Sequence, residues 1–195
     1  YTMLEKLIFQ HEFQNYSQRE VGGKAFHLLK MKEAGLNIPP FFIIPSKIIA
    51  QIIKPIQHKI EALLSRIKTI NDPQLFFISK KIQNEILDLE FPKNFQNEIH
   101  ETCLALFGDK YFVAVRSSAA AEDGTKASFA GQHDTFLFVA ANQLISKIRE
   151  CIVSAWSHGV LSYRLAQNIS IQNIEYAIVI QQMIKAKKSG ISFSM

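Results

Sequence analysis

The hydrophobic positions near the start of the chain alternate between helical and extended patterns. In residues 19–35, alanine and leucine recur at helical spacing, which predicts a helix entered through a glycine pair and capped by Gly35. Pro39 and Pro40 then restrict the backbone to extended conformations, and the apolar run 41–44 follows them. We therefore expect a helix followed by a short buried strand.

Three further amphipathic helices are predicted between residues 46 and 108. Breaks at Asn71-Asp72-Pro73 and at Phe91-Pro92 separate them, and Gly108 ends the third. Each presents one apolar face at helical spacing. In chain order these faces consist of Ile53, Ile56, Ile60, Leu63, Leu64 and Ile67; of Leu75, Ile78, Ile82, Ile86 and Leu89; and of Phe95, Ile99, Cys103 and Leu106.

From residue 111 the pattern changes to short apolar runs separated by helices. Residues 111–115 predict a strand buried on both faces, and the polar, glycine-containing stretch 116–134 is typical of a loop. Further strands are predicted at 135–139 and 176–183, and another begins at residue 190. Two helices are predicted between the first two of these strands, at 144–155 and 161–166.

This order of elements predicts an α+β (mixed α/β) fold. The change of pattern near Gly108 suggests a helix-rich N-terminal lobe of about residues 1–108 and a strand-containing lobe of about 109–195. The chain begins at Tyr1 rather than methionine and stops at Met195 inside a predicted strand, so we expect a C-terminally incomplete domain.

Composition and charge limit the classes of function. With 195 residues and 48% hydrophobic side chains, the chain can fold as one domain or as two small lobes. The net charge of +5 suits an anionic ligand, but the basic residues are scattered, which disfavours nucleic-acid binding. We expect a cytoplasmic protein without a membrane partner, because no apolar stretch approaches the roughly 20 residues of a membrane span.

Cysteines and histidines show no metal-ligand spacing. Cys103 and Cys151 lie in apolar helical patterns, which predicts buried, reduced thiols. The six histidines are dispersed, and none forms an HxxxH pair. No metal ligand is assigned in this chain.

Two stretches have the composition of phosphate-binding segments. Val21-Gly22-Gly23-Lys24-Ala25 places glycines and a lysine at a helix start, where free N–H groups favour anions, although the Walker spacing is absent. Arg116 follows a buried strand and precedes two serines, so its guanidinium could bind two phosphate oxygens. The alternatives are a glycine turn with a solvated Lys24, and a structural Arg116 paired with Glu122 or Asp123.

A third stretch, Ser128-Phe129-Ala130-Gly131-Gln132-His133-Asp134-Thr135, combines small residues with a glycine. Such a loop can fold over bound phosphates. The alternative is an ordinary polar connection between two strands.

In this order, the segments resemble the phosphoenolpyruvate synthase (pyruvate, water dikinase) family and the related rifampicin phosphotransferases. The resemblance rests on VGGKAFHLLKMKEAGLNIPPFFIIP, VAVRSSAAAEDGTKASFAGQHDTFLFV, LSYR, and IQQM followed by SGISF. It implies an ATP-grasp-like nucleotide-binding domain in two lobes, which would act in an ATP-dependent phosphotransferase. The full reaction would convert ATP, pyruvate and water to phosphoenolpyruvate, AMP and phosphate through a phosphohistidine on another domain.

The same resemblance implies roles for particular residues. Lys24, Arg116 and Ser117 would contact the ATP phosphates, and Gly131, Gln132 and Thr135 would belong to the loop that covers them. Gln181 and Met183 match the hinge that lines the adenine. Carboxylates that bind Mg²⁺ with the ATP are expected downstream of Met195, as are the phosphohistidine and acceptor domains. No catalytic residue is assigned here, so this chain alone is expected to be inactive.

Three departures indicate a divergent member of that family. Phe41 stands where the family usually has a glycine after the proline pair. Ala119 and Ala120 stand where a threonine is common. Residues 157–160 stand where the family usually has an Arg-Ala pair, which is absent here. The acceptor, whether pyruvate or a rifamycin, is left open by these residues. A degenerate, non-catalytic nucleotide-binding module is the alternative from another functional class.

Overall fold

A computed structural model describes residues 6–12, 16–119, 123–124, 127–128, 135–172, 174–188 and 190, with only the backbone of 123–124 and 127–128. The described helices are α1 (Gln18–Glu33), α2 (Ser46–Ile53), α3 (Gln57–Leu64), α4 (Leu75–Leu87), α5 (Lys93–Phe107), α6 (Leu144–Ser154) and α7 (His158–Ala166). The described strands are β1 (Ile8–Phe9), β2 (Phe41–Ile44), β3 (Phe112–Ala119), β4 (Asp123–Gly124), β5 (Ala127–Ser128), β6 (Thr135–Ala140) and β7 (Tyr176–Gln182). The α+β prediction is confirmed in this coarse form.

Five strands form one antiparallel sheet in the order β1-β2-β7-β3-β6. The last described strand, β7, lies in the middle, where Ile180 pairs with Phe42 on one side and with Val115 on the other. Successive apolar side chains of β7 point to opposite faces of the sheet, so both faces can be covered by helices. Strands β4 and β5 pair separately with each other.

Each face of the sheet has its own layer of helix. Helix α1 covers one face, where Ala25 and Leu29 pack with Phe41 and Val179 in a small core. The other face carries a larger core to which α2 to α7 all contribute. Because the sheet and this core include residues from both sides of Gly108, the division into two lobes there stays a prediction.

The prediction of one continuous amphipathic helix from Ile53 to Ile67 is wrong in one respect. Its apolar residues are buried as expected, but the helix is divided into α2 and α3 by a 3₁₀ turn, Lys54–Ile56. Pro55 lies in this turn, and a proline inside a helix lacks the N–H group for the regular hydrogen bond. The two short helices therefore bury one continuous face with a bend between them.

The predicted end of the strand at Val115 is also wrong, because β3 continues to Ala119. Residues 116–119 pair with β7 throughout. Hydrogen bonding therefore keeps them extended, although their sequence lacks the apolar pattern of a strand. On its other side β3 pairs with β6, whose register shifts between Val113 and Val115. Phe138 has a φ of +54° in this region, as expected for a bulge that bends an edge strand.

Within the described residues, no helix combines the length and the apolar character needed to cross a membrane.

The strand predicted to begin at Gly190 falls mostly on residues 191–195, which lie outside the described part of the chain.

Candidate functional site

Helix α1 begins at Gln18, one turn before the glycine pair, but a kink at Gly22 divides it, so its longer part is entered through the glycine pair as predicted. Ser17 precedes the helix and donates from its backbone N–H and its Oγ to the Glu20 carboxylate, at 3.0 and 2.9 Å. These hydrogen bonds, the backbone one first, lower the pKa of Glu20. Gly22 then interrupts the helix with φ +78° and ψ 167°, a conformation open almost only to glycine.

The interruption at Gly22 allows α1 to approach β3 closely. A Cβ atom on Gly22 would overlap the carbonyl group and the Oγ of Ser118, so only glycine fits at this crossing. One turn later, the N–H of Ala25 donates to Ser118 Oγ at 3.0 Å. Ser118 is fully buried, and its hydroxyl thus serves a helix N–H group that the interruption leaves without its regular partner.

The same crossing brings Lys24 to the strand that carries Arg116. Lys24 Nζ donates to the carbonyl oxygen of Ser117 at 3.1 Å, so its ammonium group lies at the residue following Arg116. Ser117 pairs with Ile178, and its side chain is fully buried on the face opposite to Ser118. The structure therefore places the Lys24 ammonium at the residue that follows Arg116, and Lys24 contacts the carbonyl of Ser117 rather than its hydroxyl.

Arg116 lies half-buried in β3 between two neighbouring strands. It pairs with Thr135 of β6 and with Val179 of β7, and Thr135 is exposed. Its Nη1 donates to Oε1 of Gln181 at 3.3 Å, and Gln181 Nε2 donates to the carbonyl oxygen of Pro39 at 3.4 Å. Glu122 and the side chain of Asp123, the partners considered for a structural Arg116, lie outside the described residues.

Met183 lies just beyond the end of β7. It is half-buried, and its N–H donates to the carbonyl oxygen of Phe112 at 2.9 Å. Several large apolar side chains of the neighbouring segments are about half exposed: Phe112, Leu137, Phe138 and Ile184. This part of the β3 and β6 strands therefore offers apolar surface near Gln181, the hydrogen-bond partner of Arg116.

The rest of the predicted site lies outside the described residues. This applies to Gly131 and Gln132, and to most of the loop predicted to cover phosphates. Among the described residues, no three His, Cys, Asp or Glu side chains are grouped as they would be to bind a metal ion. The predicted site residues whose side chains can be placed are Lys24, Arg116, Thr135, Gln181 and Met183, together with Ser117, whose side chain is buried on the other face of the sheet.

Sequence reasoning did not identify the residues that assemble this site. Ser118 holds α1 against β3, Gly22 permits the contact, and Pro39 accepts from Gln181. The adjacent glycines and the pair of serines were visible in the sequence. The contact between these segments was not, because it joins residues far apart in the chain, such as Ala25 and Ser118, which are separated by 93 positions.

Comparison with protein families gives an independent indication. The profile of the family described as pyruvate phosphate dikinase, AMP/ATP-binding domain, matches residues 18–195. This range contains every residue of the candidate site. The match agrees with the phosphate-binding composition of the segments around Lys24 and Arg116.

Individual relatives give the same result. The chain is 31% identical over 181 residues to a probable phosphoenolpyruvate synthase of Methanothermobacter thermautotrophicus, covering 89% of this chain and 26% of the relative. It is 33% identical over 191 residues to one of Methanocaldococcus jannaschii, covering 94% and 16%. A rifampicin phosphotransferase of Bacillus subtilis is 29% identical over 189 residues, covering 94% and 22%.

The chain thus spans about a quarter or less of the length of these relatives. The family profile nevertheless matches most of the chain, from the first turn of α1 onward. On this match, the chain belongs to the pyruvate phosphate dikinase AMP/ATP-binding domain family.

Proposed function

We propose that this chain binds the triphosphate of ATP on the α1 side of the sheet, through Lys24 and Arg116. The observation that carries the proposal is the contact of Lys24 with Ser117, the residue after Arg116 in β3, at the strand that α1 crosses. Lys24 supplies a compact charge, and the planar guanidinium of Arg116 can bind two phosphate oxygens at once. Their hydrogen bonds to Ser117 and Gln181 hold both side chains near this position before ATP arrives.

We also propose roles for other residues of the predicted site. Thr135 pairs with Arg116 across the sheet, which supports a place for it beside the phosphates. Gly131 and Gln132 precede Thr135 in the chain and are proposed to cover the phosphates. Met183 and the neighbouring exposed apolar side chains are proposed to line the adenine, because a nucleobase slot is mostly apolar.

ATP is proposed to bind as its magnesium complex. Magnesium commonly binds nucleotide phosphates together with one or two protein carboxylates. No such carboxylate is assigned among the described residues, so the roles derived for this chain are binding and orientation. When bound, the metal would neutralise charge on the phosphates during their transfer.

For the protein that carries this chain, we propose a phosphoenolpyruvate synthase reaction, with phosphate passing through a histidine on another domain. The support is the family match together with two synthase-named relatives of 31% and 33% identity. The alternative acceptor is a rifamycin, as the name of the Bacillus subtilis relative indicates for that protein. Pyruvate-dependent release of AMP would support the first acceptor, and rifamycin-dependent release the second.

The binding proposal is tested by calorimetric titration of the protein with Mg-ATP. Lys24→Ala and Arg116→Ala should each weaken binding about 10- to 100-fold, because each removes charge-assisted hydrogen bonds to phosphate. Arg66→Ala is the matched control, since exposed Arg66 donates to Gln74 Oε1 at 2.9 Å much as Arg116 donates to Gln181. Wild-type protein without affinity for ATP, or equal losses in all three variants, would overturn the proposal.

A second variant separates charge from geometry at Arg116. Arg116→Lys keeps the positive charge and loses the planar fork, so we expect ATP binding to weaken about tenfold or more. Unchanged affinity with an intact fold would make Arg116 a structural residue. The degenerate-module alternative predicts ATP binding without pyruvate-dependent or rifamycin-dependent release of AMP.

A further inference from the structure

Gln181 links Arg116 to a fixed part of the backbone. Its Oε1 accepts from Arg116 Nη1 at 3.3 Å, and its Nε2 donates to the carbonyl oxygen of Pro39 at 3.4 Å. An amide has one acceptor end and one donor end, so the reverse orientation would set donor against donor at Arg116. The two contacts together therefore define which way the amide faces.

The anchor at Pro39 is stiff. Pro39 and Pro40 have restricted backbone angles, and the Pro40 carbonyl accepts from the N–H of Gln182 at 2.9 Å. Phe41, the next residue, pairs with Gln181 in the sheet and is fully buried. The carbonyl of Pro39 is thus held in place by the strand pairing that also holds the backbone of Gln181.

Three hydrogen-bonding groups of this segment have partners within the protein. The Gln181 amide bonds Arg116 and Pro39, and the N–H of Met183 bonds Phe112. Both ends of the Gln181 side chain are therefore engaged by Arg116 and Pro39, and a role for Gln181 that uses these contacts needs no change of conformation.

We infer that Gln181 is a positioning residue, which orients the Arg116 guanidinium toward the phosphates rather than reading the adenine. This inference rests on the proposed function, since it assumes that Arg116 binds phosphate. Fixing a flexible arginine before binding reduces the entropy lost when the ligand arrives. The benefit reaches the ligand only through Arg116, so it should be independent of the base.

The test compares Gln181→Met with wild type for ATP, GTP and inorganic tripolyphosphate. Methionine has a similar length and volume but cannot hold Arg116 by a hydrogen bond. We expect all three ligands to weaken by the same factor, about tenfold, because a hydrogen bond to a charged group is lost. Gln182→Met is the matched control: Gln182 pairs with Val113 of the larger core, so its side chain lies on the other face, and affinities should not change.

A double-mutant cycle with Arg116→Ala identifies the route of the effect. If Gln181 acts through Arg116, adding Gln181→Met to Arg116→Ala should cause no further loss. A loss confined to ATP, or a full tenfold loss that persists without Arg116, would overturn the inference. Wild-type protein that binds neither ATP nor tripolyphosphate would instead overturn the proposed function.

Gln181→Asn covers the case in which Gln181→Met does not fold. It keeps the amide but shortens the side chain by one methylene group, which withdraws it from Arg116. The same uniform loss across the three ligands is expected. Unchanged affinities in this variant, with wild-type thermal stability, would contradict a positioning role.

Discussion

Ser118 shows how one small side chain fixes the geometry of the proposed site. Its Oγ accepts from the N–H of Ala25, and its carbonyl group lies against Gly22. Alternation along β3 puts Arg116 on the same face as Ser118 and places Ser117 in the larger core. This one residue thus holds the start of α1 against β3, on the face of the sheet to which Arg116 also belongs.

The thiol of Cys103 is a buried titratable group in the larger core, away from the proposed site. It lies in α5 and is fully buried, and burial raises its pKa to about 12, although a hydrogen bond with Tyr111 opposes this in part. Burial likewise raises the pKa of Tyr111, and the neighbouring thiol adds to this. Both groups therefore favour their neutral forms in the folded protein.

Because the pKa of the Cys103 thiol is higher in the folded than in the unfolded protein, stability should fall at alkaline pH. The unfolded thiol, with its ordinary pKa of 9.0, loses its proton at a lower pH than the folded one. The contribution of neutral Cys103 to the free energy of unfolding is therefore fully present below pH 9 and is lost as the pH rises toward 12. At pH 10.5, Cys103 alone should reduce the free energy of unfolding by about 2 kcal/mol. Urea denaturation at pH 7.5 and 10.5 measures the change, and Cys103→Ala should show a loss smaller by that amount. An equal loss in the variant would refute the assignment.

At the level of residues, the sequence identified two segments that lie against each other but not their contacts. Lys24 contacts Ser117, the residue after Arg116, while a shared phosphate site of Lys24 and Arg116 stays a prediction. The direction of Ser117 was not predictable, because alternation applies only once residues 116–119 are known to be strand. The hydrogen bonds of Gln181 depend on pairing between segments far apart in the chain, which local patterns do not contain.

Among the elements, α1 depends most on one unusual backbone conformation. Gly22 has φ +78°, and a side chain there would meet the backbone of Ser118. Gly35, just after the same helix, has a similar φ of +77° but open space around it. Both glycines have a positive φ, but an added Cβ would overlap neighbouring atoms only at Gly22.

We expect Gly22→Ala to lower the free energy of unfolding by at least about 3 kcal/mol, since strain and a clash with backbone add together. Gly35→Ala should cost only about 1–2 kcal/mol, the cost of placing alanine in the left-handed region. Chemical denaturation of both variants beside the wild type gives the comparison. Similar losses would show that the contact with Ser118 has little energetic weight.

At the level of elements, the hydrophobic pattern predicted most helices and the strands β2, β6 and β7 to within a few residues. It missed the two-residue strand β1 and the second half of β3. Both lack an apolar alternation long enough to recognise, and neighbouring strands keep them extended. The order of the strands came only from the structure, because pairing between distant segments leaves no local signal.

For the whole molecule, the central position of β7 joins the two halves of the sheet. It pairs with β2 on one side and β3 on the other, and its residues Ala177 to Ile180 are fully buried. Among the described strands, β1 lies at one end of the sheet and pairs with β2 alone. Opening the sheet at β7 separates strands that belong to both cores, whereas β1 is held by a single neighbouring strand.

Native-state hydrogen exchange should therefore divide the sheet. We expect the amides of β7 to exchange only through global unfolding, with a denaturant dependence equal to that of the whole protein. The amides of β1 should exchange through local opening, at lower free energy. Exchange of β7 amides with a weak denaturant dependence would show that the two halves of the sheet separate while the molecule remains folded.

The central place of β7 also has a consequence for biosynthesis. Strands β2 and β3 do not pair with each other, and the segment that joins them, Tyr176–Gln182, follows both in the chain. While the chain leaves the ribosome, the β1-β2 pair and the β3-β6 pair can form, but neither can dock on the other through the sheet. Folding of this region during translation must therefore wait for residues 176–182, and the nascent chain exposes apolar strand edges until then.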